Sequence, residues 1–334
     1  MNGLLQLIVR RIYSAAVIIV FLTLAMFILQ HLSHTSPVHS YLGAGASAAA
    51  VAAETRKLGL NQPMIDQYFH YLANLVHGNL GISYRLREPV SSNIRQFLPA
   101  TVELAGYAML IALVLAVVLG VAGAARWRGA GIFRAIMLCG SSTPPFLLAL
   151  LGILFFSGKL GWLPATGRTS LLNPPTGPTG LLTLDGLLHG EPSVTFDALR
   201  HLILPATCIA LIPAVSIGRI LRSSLEETLE KDHVRTARMK GLSEWTVMVR
   251  HALRNSLGPA LSMTGLQIGF LFAGVVVIES IFAWPGIGNY VAEGIPQGDF
   301  PAIAGVTLVV SVAYVVINAV VDILQAIADP RIKL

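Results

Sequence analysis

The sequence is poor in charge, in aromatics and in cysteine. Of its 334 residues only 12% are charged and 7% aromatic, while 54% are hydrophobic. A soluble domain carries about 25% charged residues to cover its surface. At half that level, much of this surface must face lipid. The scarcity of aromatics argues against an aromatic-rich binding module and leaves an aliphatic mass suited to spanning helices. The two cysteines, Cys139 and Cys208, sit inside apolar runs far from any Cys-x-x-Cys spacing. They supply neither a disulfide framework nor a metal site and read as small packing residues. There is no phosphate loop of the Gly-x-x-x-x-Gly-Lys-Ser/Thr kind, no His-Glu-x-x-His and no Gly-x-Ser-x-Gly, so the chain lacks the common signatures of ATPases, zinc hydrolases and serine hydrolases. His31, His34 and His39 cluster without helical spacing, and no metal site is expected of them.

What the chain has is six apolar stretches. A bilayer core of about 30 Å takes roughly 20 helical residues, and runs near 12–30, 99–125, 132–156, 202–221, 257–282 and 302–328 meet that length. The first follows Arg10 and Arg11 and lacks a small-residue cleavage site, so it reads as an uncleaved anchor. Basic residues set the orientation. Fifteen fall in the connections of one side and eight on the other, five of those eight in the long segment 32–98. Both termini are therefore expected in the cytoplasm. The expected organisation is a first helix over 1–31, an extracytoplasmic segment over 32–98, and a five-helix core over 99–334 with a charged cytoplasmic loop at 222–256. A short amphipathic helix is expected at 64–76.

Polar groups inside the spans are the next candidates, because a buried charge is a functional hypothesis by default. Glu103 lies one turn into the second span, where it suits either helix capping or a pathway. Glu279, just before Trp284-Pro285-Gly286, suits a gate or an interhelical hydrogen bond. Asp322 and Asn318 share a face, and a pair with a neighbouring Arg is the preferred reading of Asp322. Gly265, Gly269 and Ala273 form a small-residue stripe that suits packing within the chain or against another subunit. Pro144-Pro145, Pro205 and Pro213 should kink the third and fourth spans. The inner loop carries seven basic and five acidic residues between Arg222 and Asn255. Its apolar positions Val234, Ala237, Leu242, Trp245 and Val249 point to short helices with one apolar face, meeting at Gly241.

Read in order, that loop contains Arg235-Thr-Ala-Arg-Met-Lys-Gly-Leu-Ser243 and then His251-Ala-Leu-Arg-Asn255. It resembles the cytoplasmic EAA loop of the permease subunits of bacterial ABC importers, and within them the peptide/nickel branch. Further segments resemble that branch in the same order: Leu58-Gly-Leu-Asn-Gln-Pro63, His77-Gly-Asn-Leu-Gly-Ile-Ser83, Ala100-Thr-Val-Glu-Leu104, Glu279-Ser-Ile-Phe-Ala-Trp-Pro-Gly-Ile-Gly288 and Asp329-Pro-Arg-Ile332. The loop departs from the broad EAA pattern at Arg235 and Thr236, where Glu and Ala are usual. The resemblance implies an all-α permease fold of six transmembrane helices. It implies a homologous second permease, one or two ABC ATPase subunits that hold ATP and Mg, and an extracytoplasmic solute-binding protein. No cofactor in this chain and no nucleic-acid partner are expected. Arg235, Thr236, Ala237, Arg238, Lys240, Gly241, Leu242 and Ser243 become the expected ATPase-coupling residues, and Glu103, Glu279 and Asp322 the candidates for pathway or gate. Peptides are the expected cargo, with nickel complexes, haem or glutathione as alternatives. An ion-coupled secondary transporter is the more distant alternative, although no internal repeat relates the two halves of the chain.

Overall fold

Apolar runs in lipid must satisfy their own backbone hydrogen bonds, and helices do so within one segment. Among the described residues every regular element is helical, apart from one isolated bridge between Ile82 and Pro89. The computed structural model describes residues 2–32, 38, 42, 45–57, 61–125, 129–140, 143–174 and 177–328, excepting the side chains of 2–8, 10, 54, 57, 138–140 and 324–328. Of the sequence features named above, His34, His39, residues 58–60 and 329–332, and the side chains of Arg10 and Cys139 lie outside that set. The helices are α1 (Asn2–Leu32), α2 (Ala48–Lys57), α3 (Met64–Val76), α4 (Val90–Ala124), α5 (Ala130–Gly140), α6 (Pro145–Gly152), α7 (Leu182–Leu188), α8 (Pro192–Leu229), α9 (Asp232–Met239), α10 (Glu244–Ile281), α11 (Ile287–Gly294) and α12 (Phe300–Ala328).

Five of these are long and apolar enough to cross a membrane: the 11–32 part of α1, then α4, α8, α10 and the 300–323 part of α12. The stretch expected to span over 132–156 is divided. It forms α5, a break, and α6 continued by a π-helical turn over Ile153–Lys159. The cause is local. Pro145 opens α6, and the residue before a proline is driven to extended backbone, as Pro144 shows at ψ 138°. Pro205 and Pro213, by contrast, lie within the unbroken α8.

Two faces of small residues hold the centre together. Ala100, Ala108, Ala112, Ala116 and Gly120 lie on one buried face of α4. Ala206, Ala210, Ala214 and Gly218 lie on one buried face of α8, and α4 and α8 share the most extensive contact among the described residues. A Cβ on Gly218 would sit 3.2 Å from the Ala116 carbonyl, and one on Gly120 would sit 3.1 Å from the Gly218 carbonyl. The backbones meet because nothing larger stands between them. Leu104, Leu202, Leu271, Ile278, Phe282 and Trp284 extend this core towards α10.

The first helix stands apart, with 6% of its apolar window buried against 72% for α8. It touches α12 and α3. The Thr23 hydroxyl meets the Tyr68 hydroxyl at 3.1 Å, and a His31 ring nitrogen meets the Gln67 amide oxygen at 3.2 Å. The glycine stripe of α10 faces the same last helix. A Cβ on Gly265 would meet Val321 at 3.2 Å, and one on Gly269 would meet the Tyr314 ring at 2.7 Å. Both glycines thus pack within the chain, and Ala273 is exposed. Gly269→Leu should displace Tyr314 and lower stability by about 1–3 kcal/mol, the usual cost of overpacking. Thermal unfolding of the detergent-solubilised protein measures this, and Tyr314→Ala in the same chain should recover part of the loss.

Candidate functional site

α8 carries the charged loop directly on its end. After Leu229, Lys231 takes extended backbone at ψ 151° and α9 begins at Asp232. Val234 and Ala237 are the buried face of α9; they belong to one cluster with Leu225 and Leu229 of α8 and Val247, Met248 and Ala252 of α10. Below that face, the Ser256 hydroxyl donates to the Thr228 hydroxyl at 3.0 Å, tying α10 to α8. At the turn, Gly241 adopts φ +76°, in the region that side chains with a Cβ rarely adopt. Ser243 then caps α10 by accepting from the Thr246 amide at 3.3 Å. The loop is thus a braced knob on two long rods.

Its outward surface is mixed. Met239 is 80% and Trp245 70% exposed, with Leu242 and Val249 beside them at 38% and 39%. Arg235, Thr236, Lys240, Gly241 and Ser243 are exposed as well. Arg238 donates from Nε and Nη2 to the two Glu244 carboxylate oxygens at 2.8 and 3.1 Å. Those hydrogen bonds raise the guanidinium above its already high pKa, so the pair keeps its charge at physiological pH. Next to the knob, Val117, Val121 and Ala125 of α4 and Trp245, Met248 and Leu253 of α10 line an open apolar cleft of about 940 Å³.

The three carboxylates expected to mark a pathway or gate each hold elements together. Glu103 accepts from Arg168 Nε and Nη2 at 2.9 and 2.5 Å and, through its other oxygen, from the Thr183 amide and hydroxyl at 2.8 and 2.7 Å. Arg168 Nη2 also donates to the Gly180 carbonyl at 2.7 Å. The pair therefore pins the 157–200 connection onto α4. Glu279 is fully buried. It accepts from the Thr101 hydroxyl at 2.6 Å and from the Asn289 amide at 2.9 Å, at the N-terminal end of α11. A Cβ at Gly286 or Gly288 would collide with that carboxylate, which accounts for both glycines of the 279–288 motif. Trp284 Nε1 donates to the Ala100 carbonyl at 2.9 Å and closes the turn on α4. Asp322 pairs with Arg11 and fastens α12 to α1. One clasp of this kind carried no sequence signal: Asp299 accepts from the Ser83 hydroxyl and, at 3.0 Å, from the Tyr84 amide. Among the described residues no group of three or more His, Cys, Asp or Glu side chains could hold a metal ion.

Two ion pairs should behave differently. Arg168→Ala strips Glu103, 1% exposed, of its ion-pair partner, so it should cost about 3–5 kcal/mol. Arg238→Ala breaks a pair whose carboxylate is 72% exposed and should cost no more than about 1 kcal/mol. A Cβ on Gly241 would have no atom within 4 Å, so the cost of Gly241→Ala is conformational, about 1–2 kcal/mol. Gly241→Asn should cost less, because Asn tolerates positive φ. Thermal melts of the four variants rank them.

Comparison with known proteins agrees with this architecture. The family model described as "Binding-protein-dependent transport system inner membrane component" matches residues 112–334, and its N-terminal companion matches residues 4–105. The chain is 41% identical over 327 residues to the probable D,D-dipeptide transport system permease protein of Escherichia coli (strain K12), covering 97% of this chain and 96% of that one. It is 42% identical over 315 residues to the di/tripeptide transport system permease protein of Pseudomonas aeruginosa, covering 93% and 94%. It is 39% identical over 328 residues to the dipeptide transport system permease protein of Alkalihalophilus pseudofirmus, covering 97% and 98%. With matches spanning nearly its whole length and helices that suit a multi-pass membrane protein, this chain belongs to the family of binding-protein-dependent transport system inner membrane components.

Proposed function

We propose that the chain is the permease subunit of an ATP-driven importer of short peptides. The observation that carries the coupling part is the knob: Met239, Leu242 and Trp245 exposed on a turn braced against two membrane rods. Exposed apolar and aromatic groups on a rigid base are the composition of an interaction anchor. The chain has no phosphate loop of its own, so ATP and Mg belong to ATPase subunits that receive this knob on the cytoplasmic side. The cargo assignment rests on relatives named for dipeptides, D,D-dipeptides and di- or tripeptides. A homologous second permease completes the pathway, and an extracytoplasmic solute-binding protein delivers the peptide. The protein resides in the cytoplasmic membrane with both termini inside, as the distribution of basic residues supports.

Coupling is tested at the knob. Trp245→Ala should weaken co-purification of the ATPase at least tenfold, as expected for a buried aromatic anchor, while the spans still insert. Uptake of radiolabelled di- and tripeptides, by cells with and without the gene, tests the cargo; uptake of nickel, haem or glutathione in place of peptide would reassign it. Orientation is read by single cysteines at Ser47 and Glu244, in a chain lacking Cys139 and Cys208. An impermeant thiol reagent should label the first in intact cells and the second only after the membrane is opened.

A further inference from the structure

Half-way along the membrane part of α10 stands a polar side chain that the packing does not satisfy. Gln267 is 5% exposed, and its Oε1 is buried without a hydrogen-bond partner. A buried carbonyl lacking a donor is expensive where no water replaces it. The side chain lines a cavity of about 350 Å³ together with Pro145 of α6, Ile209 and Pro213 of α8, and Phe270 and Gly274 of α10. That volume lies within the range of small-molecule sites, roughly 300–1,000 Å³.

Beside it the hydrogen-bond ladder of α8 is interrupted. Pro213 sits inside α8 and has no N–H, so the Ile209 carbonyl, four residues back, lacks the helical bond it would otherwise receive. Apart from Gln267, the lining side chains carry no polar atom. The cavity therefore offers one unpartnered acceptor, Gln267 Oε1, with no side-chain charge and an apolar surround. The Gln267 amide nitrogen is the sole side-chain donor of this lining and no cation stands beside it, so a carboxylate or phosphate would enter with its charge uncompensated, whereas an amide N–H flanked by small apolar groups would be complemented at Oε1. Its walls also belong to α8 and α10, the two helices that flank the cytoplasmic knob, so a displacement of the knob acts on the cavity through both.

We infer that Gln267 is a specificity-determining subsite on the import route, its Oε1 accepting the main-chain amide N–H of a short peptide in passage. The inference rests on the peptide-import reading above. The test uses the full complex in proteoliposomes, with solute-binding protein enclosed or added, and two probes: alanyl-alanine, and alanyl-sarcosine, whose peptide nitrogen is methylated. Gln267→Met keeps the volume and removes the acceptor. It should lower uptake of alanyl-alanine about tenfold, the scale of one lost buried hydrogen bond, and leave uptake of alanyl-sarcosine nearly unchanged. The same binding protein serves both permease variants, so the change in ratio reports on the permease. Melting of the complex serves as the structural control, because an apolar side chain should leave the fold as stable or more so. A photoreactive benzoylphenylalanine at Ile212, another lining residue, should capture radiolabelled alanyl-alanine during ATP turnover.

Equal loss of both peptides, or full uptake by Gln267→Met, would overturn the inference. So would capture at Ile212 of the sister permease or lipid alone, which would make the cavity a subunit seam or a lipid site. Failure of the wild-type complex to import either peptide has a different signature: it removes the peptide-import reading, and this inference falls with it.

Discussion

Close approach of α4 and α8 is the constraint on which the rest of the molecule depends. Lipid is as apolar as leucine, so helices in a bilayer gain little by hiding apolar surface from it and associate instead through dispersion and backbone proximity. Alanine and glycine at four-residue spacing on both helices let the two backbones come within contact distance near Ala116 and Gly218. That seam buries α8 more deeply than any other span. Because α8 runs without a break from Pro192 to Leu229, the seam at its centre also steadies the two ends. One end carries the 157–200 connection, and the other carries the knob.

The charged groups inside the bundle act as clasps around this seam. A carboxylate taken out of water is tolerable only when it is paired or richly hydrogen-bonded. Glu103 and Glu279 have both oxygens occupied, one by a guanidinium and a helix start, the other by a hydroxyl and a backbone amide. Each joins α4 to a segment that lies far away in sequence: the 157–200 connection for Glu103, the turn into α11 for Glu279. Arg11 and Asp322 do the same for the exposed first helix and the last one. Other polar side chains of the spans, such as Thr207, Thr264, Thr307, Ser311 and Asn318, bond to carbonyls of their own helices. The unpaired amide oxygen of Gln267 is conspicuous for that reason.

At the knob the geometry favours rigidity over flexibility. Val234 and Ala237 lock α9 onto both α8 and α10, and Gly241 reverses the chain at a φ that a residue with a Cβ adopts only under strain. The exposed face can then be pushed only by moving the rods behind it. The exposed apolar side chains of that face and the small-residue seam are joined through the unbroken α8.

The sequence by itself determined the class of the protein, the number of apolar stretches and the place of the knob. These depend on local properties: a span must be apolar and long enough for lipid, and a helix must end where Gly241 turns the backbone out of it. It also displayed the Gly265–Gly269 stripe, but not the direction in which that stripe faces, and the seam of α4 and α8 passed unremarked because alanines every four residues look like any apolar helix. Only the tertiary structure decided the partners. Glu103 meets Arg168 across 65 positions, Thr101 meets Glu279 across 178, and Arg11 meets Asp322 across 311. Such pairs depend on how helices pack and turn relative to one another, and helical periodicity carries no record of that. The same reason hid Gln267, which becomes distinctive only once α6, α8 and α10 close around it and supply no donor.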